Sequence, residues 1–110
     1  MERFVKGEVV VLPFSYTDLS STKKRPALVI ATLRGENIIL AQITTEERKD
    51  EDLISLRKKD FESGFLKQDS FIIPSIIFTA ESSTINYKAG KIKSEKIKEV
   101  ENKLIEIFTR

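Results

Sequence analysis

The chain has 110 residues, 19 Lys and Arg against 17 Asp and Glu, and no histidine, cysteine or tryptophan. That length suits a single domain over residues 1–110, burying roughly two thirds of the surface its unfolded chain exposes. The missing residue types exclude disulfides, thiol nucleophiles, thiolate metal clusters and imidazole acid–base catalysis, so any chemistry must run through carboxylates, Lys, Arg, Tyr, Ser or Thr. A formal charge of +2 is too small to argue nucleic-acid binding by itself. Its distribution says more: Lys23, Lys24, Arg25 and Arg34 make a basic stretch, whereas Glu46 to Asp52 is acidic on balance. No apolar run nears the roughly 20 residues of a membrane span and no apolar leader opens the chain, which gives the expectation of a soluble, cytoplasmic protein without membrane contact.

Glu8 to Leu12 is a short β-branched run after Gly7 that predicts a buried strand ending at Pro13. Ser15 to Lys24 is rich in turn formers and predicts a polar loop, after which Pro26 opens a second strand over Ala27 to Leu33. Arg34-Gly35-Glu36-Asn37 is a tight-turn signal, and Ile38 to Thr44 reads as the returning strand of a hairpin. Leu53 to Leu56 predicts a further short strand. Asp60 to Gly64 reads as one helical turn with Asp60 as N-cap and Gly64 as terminator. Ser70 to Ile73 and Ile76 to Phe78 predict strands separated by Pro74, and Ile85 to Lys88 a weaker one. From Ser94 as N-cap, Ile97, Val100, Leu104, Ile107 and Phe108 fall on one stripe of a helix that packs on the sheet. Five to seven short strands and one C-terminal helix predict a mainly β protein, a small, strongly bent antiparallel barrel or half-barrel covered by the helix.

The basic stretch is the first place for chemistry. A residue before proline is biased to extended backbone, so Arg25 projects from a strand edge as a planar, bidentate donor for phosphate or carboxylate, with Lys23 and Lys24 adding charge. In the predicted hairpin the far end of the second strand lies near the start of the first, so Thr44 can neighbour Arg25 and orient a phosphate, with Thr45 beside it; alternatively the threonines only cap the following turn. Asp18, Glu46 and Glu47 flank these positions as candidate bases or solvated loop charges. Phe14 and Tyr16 can stack on a base of single-stranded nucleic acid, although Phe14, following a strand, fits the core better.

Taken together, Gly7-Glu8-Val9-Val10-Val11-Leu12-Pro13-Phe14, Thr17-Asp18-Leu19-Ser20 and Lys24-Arg25-Pro26-Ala27-Leu28-Val29-Ile30 resemble the N-terminal signature of the MazF/PemK-like toxin family. Ala41-Gln42-Ile43-Thr44 is similar to the family's third-strand ending, and Gly64 to Phe71 to its G-L-K-x-D-S segment. The resemblance spans nearly the whole chain. It implies an SH3-like barrel, a homodimer, an endoribonuclease acting on single-stranded RNA through the substrate 2′-hydroxyl with neither metal nor cofactor, and inhibition by a cognate antitoxin peptide. Arg25 then matches the catalytic arginine and Thr44 the catalytic threonine, with Asp18 a candidate base. Phe14, Tyr16, Thr17, Lys23, Lys24, Thr45 and Gln68 become candidate substrate contacts. Ile72 to Thr79 stands where relatives often carry basic residues, so that wall of the site is expected to be less cationic. The alternative reading is a non-catalytic SH3-like dimeric module that binds RNA or an antitoxin-like peptide in the same groove.

Overall fold

The computed structural model describes residues 3–15 and 22–110. Among them seven strands form one antiparallel sheet: β1 (Glu8–Ser15), β2 (Thr22–Thr32), β3 (Asn37–Thr44), β4 (Ile54–Leu56), β5 (Phe61–Gly64), β6 (Ser70–Glu81) and β7 (Tyr87–Ile92). Their order is β4-β6-β3-β2-β1-β7-β5, and the sheet curls into a half-barrel with helix α1 (Ser94–Thr109) packed on one side. The mainly β architecture with one C-terminal helix is the one the sequence predicts.

Side-chain alternation divides the apolar residues between two faces. Val9, Leu28, Ala41, Ile43 and Ile72 share one cluster with Val100 of α1, while Val10, Leu12, Ala27, Val29, Ile38 and Leu40 share the other with Phe4. The charge within the first strand is satisfied where it stands. Glu8 is buried, but one carboxylate oxygen accepts the Val5 N–H at 2.8 Å and the other meets Lys88 Nζ at 3.0 Å; a buried carboxylate persists only with such partners.

Four local expectations are corrected. The first strand does not stop at Pro13, and Lys23 and Lys24 are strand, not loop: β1 and β2 pair continuously from Val9↔Leu28 to Ser15↔Thr22. Val11 turns its carbonyl toward Asn86, and Pro13, two residues on, faces the same edge beyond the last β1–β7 pair, where no ladder bond needs its missing N–H. Pro74 does not divide two strands. Ala41 pairs with Ile77 but Gln42 with Ile73, so Pro74, Ser75 and Ile76 form a bulge inside β6. Residues 60–64 are not a helical turn: a 3-10 turn, Lys58–Asp60, comes first, and Phe61–Gly64 is β5. Asp60 acts backward, its carboxylate accepting the Arg57 N–H at 2.8 Å. Finally, the cap of α1 is Lys93 and not Ser94, and only part of the predicted stripe packs. Val100 is buried, with Ile97 and Leu104 partly so, whereas Phe108 is 68% exposed.

Charge, not apolar packing, holds the last turn of α1. Arg110 forks onto both oxygens of Asp52 at 3.0 and 3.3 Å, and Lys103 approaches the same carboxylate at 3.6 Å. The hydrogen bonds from Arg110, reinforced by the two positive charges, hold the Asp52 carboxyl below its ordinary value. A depressed carboxylate pKa stabilises the fold above the unfolded-state value, about 3.9, and that contribution is lost as pH falls through the folded value. Asp52→Asn should therefore lower the melting temperature at pH 7 and make progressively less difference as pH falls below about 3.9, read by thermal denaturation at low salt.

Candidate functional site

Arg25 lies opposite Leu12 on β1, and Leu12 belongs to the cluster on the face away from α1. On β2, Ala27 and Val29 face that side, so Arg25, in step with them, does too. Ile38 and Leu40 mark the same face on β3, which assigns Gln42 and Thr44 to it. The β2–β3 ladder ends at Ala27↔Gln42, and Arg25 on β2 and Thr44 on β3 each lie two residues beyond that last pair, at the same end. Arginine and threonine thus share one face and one end of the sheet. Arg25 is half-buried with its Nε sealed from solvent, which lays the guanidinium against the sheet.

Thr44 is buried, and its strand partner on the other side is Phe71 of β6. Its Oγ1 accepts the Glu46 backbone N–H at 3.1 Å. This is the capping bond that the sequence left open, and it does not use up the hydroxyl. A threonine hydroxyl has two acceptor sites and one proton, so a bond fixed on one acceptor leaves the O–H to donate. Thr45, Glu46 and Glu47 are exposed just beyond.

Lys23 pairs with Phe14 and shares the Arg25 face, whereas Lys24 pairs with Pro13 and alternates to the opposite face; both lysines are exposed. Phe14 is half-buried, its ring edge-on to Phe78 with centroids 5.3 Å apart, so it contributes to packing at the rim of this face. Gln68 is exposed in the segment entering β6, and its carbonyl accepts the Ser70 hydroxyl at 2.9 Å. Tyr16, Thr17 and Asp18 lie outside the described residues. Two residues not singled out from sequence stand at this end as well: Lys58, whose ammonium is 5.4 Å from the Phe65 ring centroid, and Phe65 itself. An aromatic followed by Leu66 and Lys67 was the available signal, but nothing local links it to Lys58.

Among the described residues, no group of three carboxylates converges as a metal site requires, and no helix is long and apolar enough to cross a membrane. A cavity of about 560 Å³ opens around Arg3, Phe4, Arg34, Asn37 and Ser82, at the opposite end of β3 from Thr44. The face carrying Arg25 and Thr44 is not part of it. What that face offers is a guanidinium with a buried Nε, a hydroxyl with its proton left to donate and the Lys23 ammonium, groups suited to holding a phosphodiester.

Residues 5–108 match the family described as PemK-like, MazF-like toxin of type II toxin–antitoxin system. The chain belongs to this family. No curated protein sequence matches it. Among solved structures, this PemK/MazF-like chain is similar to an endoribonuclease in complex with its cognate antitoxin from a mycobacterial species, at 12% identity and TM-score 0.77 over 96% of this chain and 95% of that one. It is similar to the Mycobacterium tuberculosis toxin MazF-mt6, at 16% identity and TM-score 0.68 over 90% and 95%. The MazE–MazF structure from Deinococcus radiodurans gives 15% identity and TM-score 0.75 over 94% of both chains. These likenesses establish a shared fold.

Proposed function

We propose that this toxin-family chain is an endoribonuclease that cleaves single-stranded RNA through the substrate's own 2′-hydroxyl, without metal or cofactor. The observation that carries the reading is the common face of Arg25 and Thr44, each two residues beyond the last β2–β3 pair. The 2′-oxygen attacks phosphorus and the bond to the 5′-oxygen breaks, leaving a 2′,3′-cyclic phosphate and a 5′-hydroxyl. The proton lost from the 2′-hydroxyl goes to a carboxylate, Glu46 or Asp18, and the departing 5′-oxygen gains one from Arg25 or water. Arg25 clamps the phosphate as charge builds on its oxygens, and the Thr44 O–H donates to a non-bridging oxygen.

Histidine-free chemistry of this kind suits a site built from a guanidinium and a hydroxyl. The structural neighbours held with their antitoxins support inhibition by a cognate antitoxin peptide, and the same reading includes a homodimer working in the cytoplasm. The test is direct. Purified chain incubated with single-stranded RNA in chelator is expected to release fragments ending in cyclic phosphate, identified by mass spectrometry. RNA bound but left intact would instead establish the non-catalytic module.

A further inference from the structure

Phe65 is 56% exposed although phenylalanine gains most from burial, and the ammonium of Lys58 stands 5.4 Å from its ring centroid. Both partners leave fixed anchors. Lys58 opens the 3-10 turn that Asp60 closes onto the Arg57 N–H; Lys96, itself 12% exposed, stands 3.7 Å from the Asp60 carboxylate and donates to the Ser55 carbonyl at 3.1 Å. Phe65 follows Gly64, which is seated on Gly90 of β7. The pair also stands near the site. Leu56, two residues before Lys58, pairs with Ser70, and the next residue of β6, Phe71, is the partner of Thr44. Two strand spacings, about 10 Å, separate β4 from β3 across β6. Lys67, two residues after Phe65, is exposed, as is Arg57, whose guanidinium stands 3.8 Å from Asp69.

We infer that Phe65, backed by Lys58, is a stacking platform for a base of single-stranded RNA next to the scissile phosphate, a role that rests on the ribonuclease reading above. An aromatic ring accepts the π face of any base, and surrounding cations neutralise the adjoining phosphates. The ammonium takes one face of the ring, and the exposed remainder offers the other. This platform contributes affinity without selecting sequence, because stacking tolerates every base. It also supplies cations from the β4–β5 turn, on the opposite side of β6 from Arg25.

The chain has no tryptophan, so Phe65→Trp installs a single fluorophore. In the full chain carrying Arg25→Ala to prevent cleavage, a mixed-sequence 20-nucleotide single-stranded RNA is expected to quench the F65W indole, and polyphosphate of matched charge is not. Phe65→Ala should raise the RNA dissociation constant about 5- to 150-fold, and Phe65→Tyr should stay near wild type. In the cleaving chain, the same alanine variant should raise KM far more than it lowers kcat. RNA that binds without quenching F65W, or equal RNA affinity in Phe65→Ala and wild type, overturns the platform. So does loss of self-association in Phe65→Ala at unchanged RNA affinity, which would make the ring a protein contact. The two readings separate: cleavage with unchanged KM in Phe65→Ala removes the platform alone, and quenching of F65W by RNA that the wild type never cleaves removes the nuclease alone.

Discussion

Arg25→Ala is expected to reduce the rate of RNA cleavage by about 10³-fold or more, the scale on which a single arginine stabilises a phosphoryl transition state. The size follows from the role. As a general base near pH 7, an arginine of ordinary pKa would first cost about 7–9 kcal/mol in deprotonation, which makes that part implausibly expensive. As a clamp it keeps its charge while the 2′-oxygen attacks, giving up a proton at most when the 5′-oxygen departs, and every donor it aims at the phosphate strengthens as negative charge accumulates there. Placement on the sheet adds preorganisation: Arg25 sits opposite Leu12, with its Nε shut from water. Arg25→Lys keeps the charge but loses the planar fork, so it should recover only a minor part of the loss.

Thr44→Ala is expected to cost about 10²- to 10³-fold, one oriented donor's worth. The double variant should be far less than additive if, as proposed, both residues hold one phosphate. With no histidine in the chain, the rate should rise with pH without an imidazole-controlled falling limb. Single-turnover cleavage of a labelled RNA in chelator measures all four variants. Arg25→Ala cleaving at the wild-type rate would discard this mechanism.

How much of this was readable before the fold depends on whether the signal was local. The β2–β3 hairpin was, because Arg34-Gly35-Glu36-Asn37 names its turn and Gly35 takes φ +85 as that turn requires. With the hairpin came the placement of Thr44 and Arg25 on one face at one end, since register fixes which residues share a face. The extent of the strands was not local. Lys23 and Lys24 read as loop because nothing beside them shows that Phe14 and Pro13 lie across the ladder. Pro74 read as a boundary because only the pairing of β6 with β3 reveals the bulge that absorbs it. Asp60 and Gly64 carried a helical signature, yet Asp60 closes the preceding turn and Gly64 turns the chain off a strand. The platform at Phe65 was hidden for the same reason: Lys58 and Phe65 are separated by β5, and only tertiary structure sets one over the other.

Gly64→Ala is expected to be among the most damaging single changes to stability, at about 2–6 kcal/mol from backbone strain and steric overlap together. Gly64 has φ +69, a region that L residues enter only with strain. A Cβ there would also stand 2.2 Å from the Ala89 carbonyl oxygen and 2.5 Å from Gly90 Cα. Both are backbone atoms, so no rotamer change relieves them; β5 would have to lift from β7. Two other glycines separate the contributions. At Gly35, φ is +85 but a Cβ meets nothing within 4 Å, so Gly35→Ala should cost only the strain, about 1–2 kcal/mol. At Gly90, which is not a positive-φ position, a Cβ would fall 2.5 Å from the Ser63 carbonyl oxygen, so Gly90→Ala isolates the steric part. Urea denaturation should rank Gly64→Ala as the worst of the three, and amide exchange should speed up first in β5 and β7. If Gly64→Ala were no worse than Gly35→Ala, the seating of β5 on β7 would not be the tight backbone contact that the short distances at Gly64 indicate.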